Sequence, residues 1–495
     1  MTGGADREPV PVPLTLEQRM GLSPYKLKRW VLTHGWRVRG PLDTGRLRDA
    51  LAEVTQRHEA LRMRLRDDDG EVGQVFPPWE PASAVLHVRE IAPEELDGAV
   101  SQVRAAELDP FREPPLRATV LRAGPDDHVL LLTVHHMAWD AWSGGLLWKG
   151  LWHAYRRERQ APPAHLPPSP GRYAVRAAEQ AASGPVLTGE QAAYWRAVAG
   201  REPVLWPPAG TAPPLPQASD GWGGAEIEAA RPDAGFPRRL AEFARAARVT
   251  SASAVTALCL AALARAFDTP SVRACYQYHG RDTAADWDVI GMYCRRFLVR
   301  ADLGPEVTWG ELARRTQQGL VDGAARSAAP FTLPRLRRLL EAEDAAAATA
   351  TDGSAEGPGG GSPEAGGTGA EGSGAAGPGA EPAPARHPAV SPVTINIVPG
   401  AMRGGPGSGP PPDLEVGPLA GGGPGRERQA RYRGQLWVIV TSDPAPAFYV
   451  HQDRTVVEDR AVAALCRCLA EGAARLDAAA AERPVADLLG AAPSR

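Results

Sequence analysis

The chain has 495 residues, 43% of them hydrophobic, with 55 Lys and Arg against 58 Asp and Glu and a net charge of −3. At about 100–200 residues per domain that length makes two or three domain-sized units, and a charge this near zero argues against bulk nucleic-acid binding and against a polybasic membrane surface. No run approaches the roughly 18 uninterrupted apolar residues of a membrane span; the nearest, residues 249–264, carries Thr250, Ser251, Ser253 and Thr256. The N-terminal MTGGADREPVPVP has no basic start followed by an apolar run, so no export signal is visible. Five thinly spread cysteines (Cys259, Cys275, Cys294, Cys466, Cys468) suit reduced thiols in a cytoplasm rather than a disulfide framework. The CxC spacing of Cys466 and Cys468 has no partner pair, which argues against zinc. Nearly all the basic charge is arginine, and the Ala, Gly, Pro and Arg richness reads as coding bias.

Residues 44–57 predict a helix, with Leu47, Leu51 and Val54 on one face. The apolar VLLLTV at 129–134 predicts a buried strand, followed by a helix over 146–157. A Pro-rich stretch at 161–170 reads as a crossing between two bodies, and 203–219 as a second loop-like region. Helices follow over 233–248 and 251–266, the second alanine-rich and apolar on most faces, then a strand over 272–278. From about 344 to 425 Gly, Ala, Pro and Ser dominate; such a segment cannot bury enough apolar surface to offset its chain entropy and is expected to be a disordered insertion. Within it, 389–399 (AVSPVTINIVP) reads as one strand, with Val393, Ile395 and Ile397 alternating against polar neighbours. Strands at 436–441 and 447–451 and a closing helix at 458–476 complete an α/β or α+β pattern in two halves, 1–180 and 181–495.

The residues able to carry chemistry cluster at His135-His136-Met137-Ala138-Trp139-Asp140-Ala141-Trp142-Ser143, between the apolar strand and its helix. Adjacent strand residues point to opposite faces, so the two imidazoles should diverge, one toward the fold and one toward a cavity. That divergence argues against a His-His metal site. A neutral imidazole at a strand end can act as a base or position an incoming nucleophile. Asp140 could orient that imidazole or lock the loop through a buried ion pair.

With these residues in view, the chain resembles the condensation domains of nonribosomal peptide synthetases, relatives of chloramphenicol acetyltransferase. Their HHxxxDG motif stands here as His135-His136-x3-Asp140-Ala141, with Ala141 for glycine and Trp142-Ser143 following. Pro13-Leu14-Thr15-Leu16-Glu17-Gln18-Arg19 is similar to the family's opening motif, and Arg57-His58-Glu59-Ala60-Leu61-Arg62 to its RHExLR. His279-Gly280-Arg281 and Ile290-Gly291-Met292-Tyr293 resemble second-lobe segments, and 436–476 the terminal strands and helix. Two departures accompany Ala141: YAVRAAEQ at 173–180 matches the family's aromatic motif poorly, and the insertion interrupts the second lobe near the loop that bridges the halves.

The resemblance implies an α/β (α+β sandwich) fold of two chloramphenicol-acetyltransferase-like lobes in a V-shaped pseudo-dimer, with the motif deep in a tunnel. It implies a condensation enzyme with no bound cofactor or metal. Partner acyl or peptidyl carrier proteins would bring a 4′-phosphopantetheine thioester donor. The acceptor, an amine or hydroxyl, would be carrier-bound or a small molecule. The chain carries no adenylation module or carrier sequence, so the expectation is a free-standing, cytoplasmic enzyme with neither nucleic-acid nor membrane partner.

Residue by residue, the resemblance makes His136 the catalytic histidine and His135 its support. It pairs Asp140 structurally with Arg281 and makes Ser143 a donor near the oxyanion. Trp139 and Trp142 would wall the tunnel or simply pack, and Arg57 and Arg62 would hold the first lobe together. Cys294 reads as inert. Arg295 would read an anionic substrate group in the tunnel, or sit with Arg296 at its rim. Three rivals share the fold. An epimerase would carry an acid where Gln277 stands and the reverse order of Trp142-Ser143. An acyl-CoA-dependent acyltransferase is disfavoured by Arg57-His58-Glu59, and a catalytically silent recruitment domain by intact His136 and Asp140.

Overall fold

The structure, a computed structural model of the chain, describes residues 10–19, 22, 27–28, 30–80, 84–157, 171–183, 187–199, 224–327, 393–398, 409–419, 436–441, 446–453 and 457–488. Two mixed sheets organise two lobes. The first runs in spatial order Glu415–Pro418, Val31–Arg39, Asp127–His135, Leu116–Gly124, Val85–Glu90, with only the last pair parallel. Its central strand is buried on both faces. Leu130, Leu132 and Val134 pack with Leu47, Leu51 and Leu147 of helices Thr44–Arg57 and Ala141–Arg156, while Val129 and Leu131 pack with Leu96 and Val100 of helix Leu96–Arg104. Two covered faces explain why that strand reads as an unbroken apolar run rather than an alternating one. A small antiparallel sheet of Val12–Pro13, Glu71–Val75 and Arg64–Asp68 accompanies this lobe.

The second sheet has the order Arg295–Asp302, Ser271–Tyr278, Thr394–Val398, Leu436–Thr441, Ala447–Asp453, Gly224–Ala230. Thr394–Val398 lies parallel to both neighbours. Helix Ser251–Ala266 packs into the core with helices Phe236–Ala247, Trp309–Arg326 and Asp459–Arg475 against it. Its alanines let neighbours approach from nearly every side, which is why it carries no polar face. Among the described residues no single helix is long and apolar enough to cross a membrane.

The expected elements lie close to those observed, and two boundaries need correction. The division at 180 falls inside a continuous helix, Arg172–Ser183. The insertion expected over 344–425 contains more than the strand at Thr394–Val398: Glu415–Pro418 pairs antiparallel with Trp36–Arg39 of the first lobe. Leu414 is buried in the first-lobe core and Val416 packs against it, so the second half of the chain returns a strap to the first. Glycines and prolines on either side mask this short apolar pair in the sequence. The rest of the insertion, and the stretches at 161–170 and 203–219, lie outside the described residues.

The lobes also exchange core residues. Leu16, near the start of the chain, belongs to the second-lobe core, and Ile290 belongs to the first. A seam cluster draws on both, with Leu14, Ala60, Met63 and Met137 beside Val289 and Tyr293.

Candidate active site

The strand Asp127–His135 delivers the two histidines to the seam. His135 is buried. Its Nε2 donates to the Leu27 carbonyl at 2.6 Å and its Nδ1 accepts from the Met137 amide at 3.3 Å. Both ring nitrogens are thereby committed in the neutral state, and His135 braces the turn. The chain then makes one 3₁₀ turn, His136–Ala138. The His136 amide donates to the Trp30 carbonyl at 2.7 Å, and its ring stacks on that of Trp30 with centroids 4.7 Å apart and planes at 24°. His136 is partly exposed, and its Nδ1 is buried.

Asp140 caps helix Ala141–Arg156, its Oδ1 accepting from the Ser143 amide at 2.8 Å. Ala141 is the exposed first residue of that helix. The same carboxylate pairs with Arg281 from the other lobe, Nη1 to Oδ2 at 2.6 Å and Nη2 to Oδ1 at 3.2 Å, with both side chains at most 2% exposed. Arg281 also donates to the Val289 and His279 carbonyls and stacks on Tyr293 at 4.3 Å. The Tyr293 amide donates to Asp140 Oδ2 at 3.1 Å, closing the knot. Two glycines permit it. Gly280 has φ +69°, and a Cβ there would lie 1.9 Å from the Tyr293 carbonyl oxygen. A Cβ on Gly291 would lie 2.5 Å from the Tyr173 ring.

Two sequence assignments change here, and a third, left open, is decided. Ser143 was expected to donate near an oxyanion, yet it is fully buried. Its hydroxyl lies 2.8 Å from Asp140 Oδ1 and 3.0 Å from the Gly291 carbonyl, and accepts from the Gly291 amide and Arg281 Nη2. One proton and two lone pairs are thus taken up inside the knot, with none left for an oxyanion. Of the two readings of Trp139, packing holds and tunnel wall does not: at 1% exposure it packs with Trp36, Val38 and Trp148 in the first-lobe core. Arg295 neither reads a substrate nor sits at a rim. It is buried, donates from Nε to Ser327 Oγ at 2.9 Å, pairs with Asp282 at 2.8 Å and covers the Tyr278 ring. Arg296 covers the Trp437 ring and holds Gln277 Oε1 at 3.0 Å.

Trp142 is partly exposed at the seam, its Nε1 donating to the Trp287 carbonyl at 2.9 Å and its ring 5.6 Å from that of His279. Cys294 is buried, which pushes its thiol up to about 12 and leaves it inert. A cavity of about 520 Å³ opens elsewhere, between helix Leu96–Arg104 and the first sheet, over Thr119 and Thr133.

Sequence reasoning passed over several residues that build the seam. Helix Arg172–Ser183 carries Tyr173, Arg176 and Gln180, which three- and four-residue spacing places on one face. Arg176 pairs with buried Glu17 at 3.0 Å and covers the Tyr293 ring at 4.6 Å, and Gln180 donates to the same carboxylate. Glu59 accepts from the Gly171 and Ala174 amides, capping that helix from a distance. His58 accepts from the Ile290 amide at 3.4 Å. The spacing within YAVRAAEQ was the available signal; the partners at 17 and 59 lie too far off in sequence to be inferred from it.

Two lobes of mixed sheet joined over a buried Asp–Arg pair, beside a His-His turn at the seam, make a two-lobed fold of the chloramphenicol acetyltransferase kind. The Condensation domain family matches residues 20–349, more than half of the chain, and the chain belongs to that family. It is 29% identical over 322 residues to a dimodular nonribosomal peptide synthase of Bacillus subtilis (strain 168), covering 64% of this chain and 13% of that one. The chain therefore spans a small part of the length of this curated relative. Among solved structures, the X-domain from teicoplanin biosynthesis matches with a TM-score of 0.64 and 22% identity, over 98% of this chain and 99% of that one. The first condensation domain of the calcium-dependent antibiotic synthetase, in complex with a substrate analogue, matches with a TM-score of 0.62 and 19% identity, over 96% and 98%.

Proposed function

We propose that this condensation domain joins an acyl group, delivered as a thioester on a carrier protein, to an amine or hydroxyl acceptor, with His136 as the residue that meets the acceptor. The observation that carries this reading is the placement of that ring: partly exposed beside the seam, stacked on Trp30, with Nδ1 buried, which leaves Nε2 as the nitrogen assigned to the acceptor. The acyl group, held as a thioester on the carrier's phosphopantetheine when that is present, supplies the activated carbonyl. His136 Nε2 accepts a hydrogen bond from the acceptor N–H or O–H, aims the acceptor lone pair at the thioester carbonyl and takes the proton as the new bond forms; the C–S bond then breaks, and the departing thiolate takes that proton, leaving the imidazole neutral. Holding two reactants in line can itself supply several orders of magnitude. Asp140 and Arg281 act one step back, fixing the start of the helix that follows the turn.

The test loads candidate carrier proteins with acyl-pantetheine, adds acceptor amines or alcohols and follows product by intact-protein mass spectrometry. His136→Ala is expected to lower turnover by about 10²–10⁴-fold. Equal turnover of the variant would remove His136 from the chemistry. Equal turnover from acyl-CoA in place of a loaded carrier would favour a coenzyme A-dependent transferase, the second superfamily activity. No product from either donor, together with retained binding of a partner protein, would make the chain a recruitment domain.

A further inference from the structure

The opening motif carries Gln18 just before its last residue, and the reaction proposed above leaves that residue without a part. Gln18 is fully buried. Thr15 and Gln18 form a reciprocal capping box: Thr15 Oγ1 accepts from the Gln18 amide at 3.2 Å, and Gln18 Oε1 accepts from the Thr15 amide at 2.8 Å. With Oε1 committed to a backbone donor, the side-chain NH₂ must face the other way. There it meets Gln74 Oε1 at 2.9 Å and the Met137 carbonyl at 3.0 Å, with Met63 Sδ a third, longer contact at 3.5 Å. Gln74 is itself braced by the Pro13 carbonyl at 3.0 Å.

Met137 immediately follows His136. Its amide is held by His135 Nδ1 and its carbonyl by Gln18, while the His136 amide is held by Trp30. Both peptide groups flanking the 136–137 pair therefore have fixed partners, and only the carbonyl contact comes from a side chain distant in sequence. A turn held at each end has one pitch. Loss of one anchor lets the peptide plane rotate and carries the His136 ring with it.

We propose that Gln18 is a positioning residue for His136, its capping-box-aimed amide gripping the Met137 carbonyl and so setting the angle at which the imidazole meets the seam. The kinetic part of this proposal rests on the condensation reading; the geometric part does not. The test uses the full chain with ¹³C-labelled histidine. Eleven histidines are present, and the His136 Cε1–H resonance is assigned by its loss in His136→Ala.

Gln18→Met removes both donors at similar volume. It is expected to displace the His136 resonance well below the melting temperature and to lower kcat by about 10–100-fold with KM for the loaded carrier unchanged, since a misplacement of about 1 Å can cost on the order of 100-fold. Gln74→Leu removes the brace but keeps Gln18; it should move the resonance less and in the same direction, and it decides the question should Gln18→Met fail to fold. An unmoved resonance in the folded variants overturns the proposal. Turnover that survives in His136→Ala sinks the condensation reading alone and leaves the resonance result standing.

Discussion

His58 sits between lobes with two arginines for neighbours in sequence, and its protonation is set by that place. Burial holds the imidazole neutral, and the charges of Arg57 and Arg62 push the same way, bringing its pKa from 6.5 down to about 3. The Nδ1 that accepts from the Ile290 amide must remain unprotonated for the contact to exist. The unfolded chain takes up a proton near pH 6.5, and the folded chain does so only near pH 3. Protons therefore favour unfolding across that window: the contribution is complete above about pH 6.5 and is lost as the pH falls toward 3. Lowering the pH from 7 to 5 should cost roughly 2 kcal/mol through this group. Urea unfolding at the two pH values checks it. His58→Gln should lack that part of the pH dependence, and an unchanged slope in the variant would assign the loss to other groups. Ser143 teaches a related lesson at the same scale. A hydroxyl beside a catalytic motif reads as a donor in sequence, but a hydroxyl whose proton and lone pairs are all engaged is a spacer in a knot.

Among the elements, the strap at Glu415–Pro418 does what its composition hides. Leu414 fills a place in the first-lobe core and Leu419 lies against Gly35, so apolar contacts at each end clamp four residues of strand onto the edge of Val31–Arg39. Leu414→Ala should cost about 2–3 kcal/mol, within the range for emptying a buried leucine site. Hydrogen–deuterium exchange should then rise at the amides of Val31–Arg39 while those of Ser271–Tyr278 keep their protection. Equal loss in both strands would mean that the strap holds the whole molecule and not one edge. The contrast with other elements explains what was legible. Helix Thr44–Arg57 carries its own periodicity, helix Ser251–Ala266 a long alanine-rich apolar run, and strand Leu436–Thr441 six apolar or β-branched residues in a row, so local pattern finds them unaided. The strap has one buried leucine and gains its partner from more than 370 positions away, which is how far 36–39 lies from 415–418. The histidine turn and the Asp140–Arg281 pair were legible because a family pattern marks both halves. The Glu17–Arg176 pair, also buried, was not, since neither residue announces the other.

The whole molecule is tied across its seam by residues that each lobe lends the other. Leu16 enters the second core, while Ile290 and Leu414 enter the first. The ring of Tyr293 lies between two guanidinium groups: Arg176, held by Glu17, and Arg281, held by Asp140. Each guanidinium over a desolvated ring adds about 1–2 kcal/mol to an ion pair already closed off from water. Such a seam couples the lobes, so calorimetry of the wild-type protein should show one transition with matching calorimetric and van't Hoff enthalpies. Arg281→Met leaves Asp140 buried without its cation and should cost about 3–5 kcal/mol, because an uncompensated buried charge is the expensive state. The pair itself need not be strongly stabilising, since its attraction must first offset the desolvation of both ions. Combining Asp140→Leu with Arg281→Met should therefore recover much of the stability lost in Arg281→Met alone, although Ser143 loses its capping partner in the same step. Arg281→Met should also separate the single transition into two, as the lobes lose the contact that makes them unfold together. Two transitions already present in the wild type would show that the exchanged core residues and the ion pair do not couple the lobes. A double variant no more stable than Arg281→Met would show that the knot depends on its charges rather than on how its parts fill the seam.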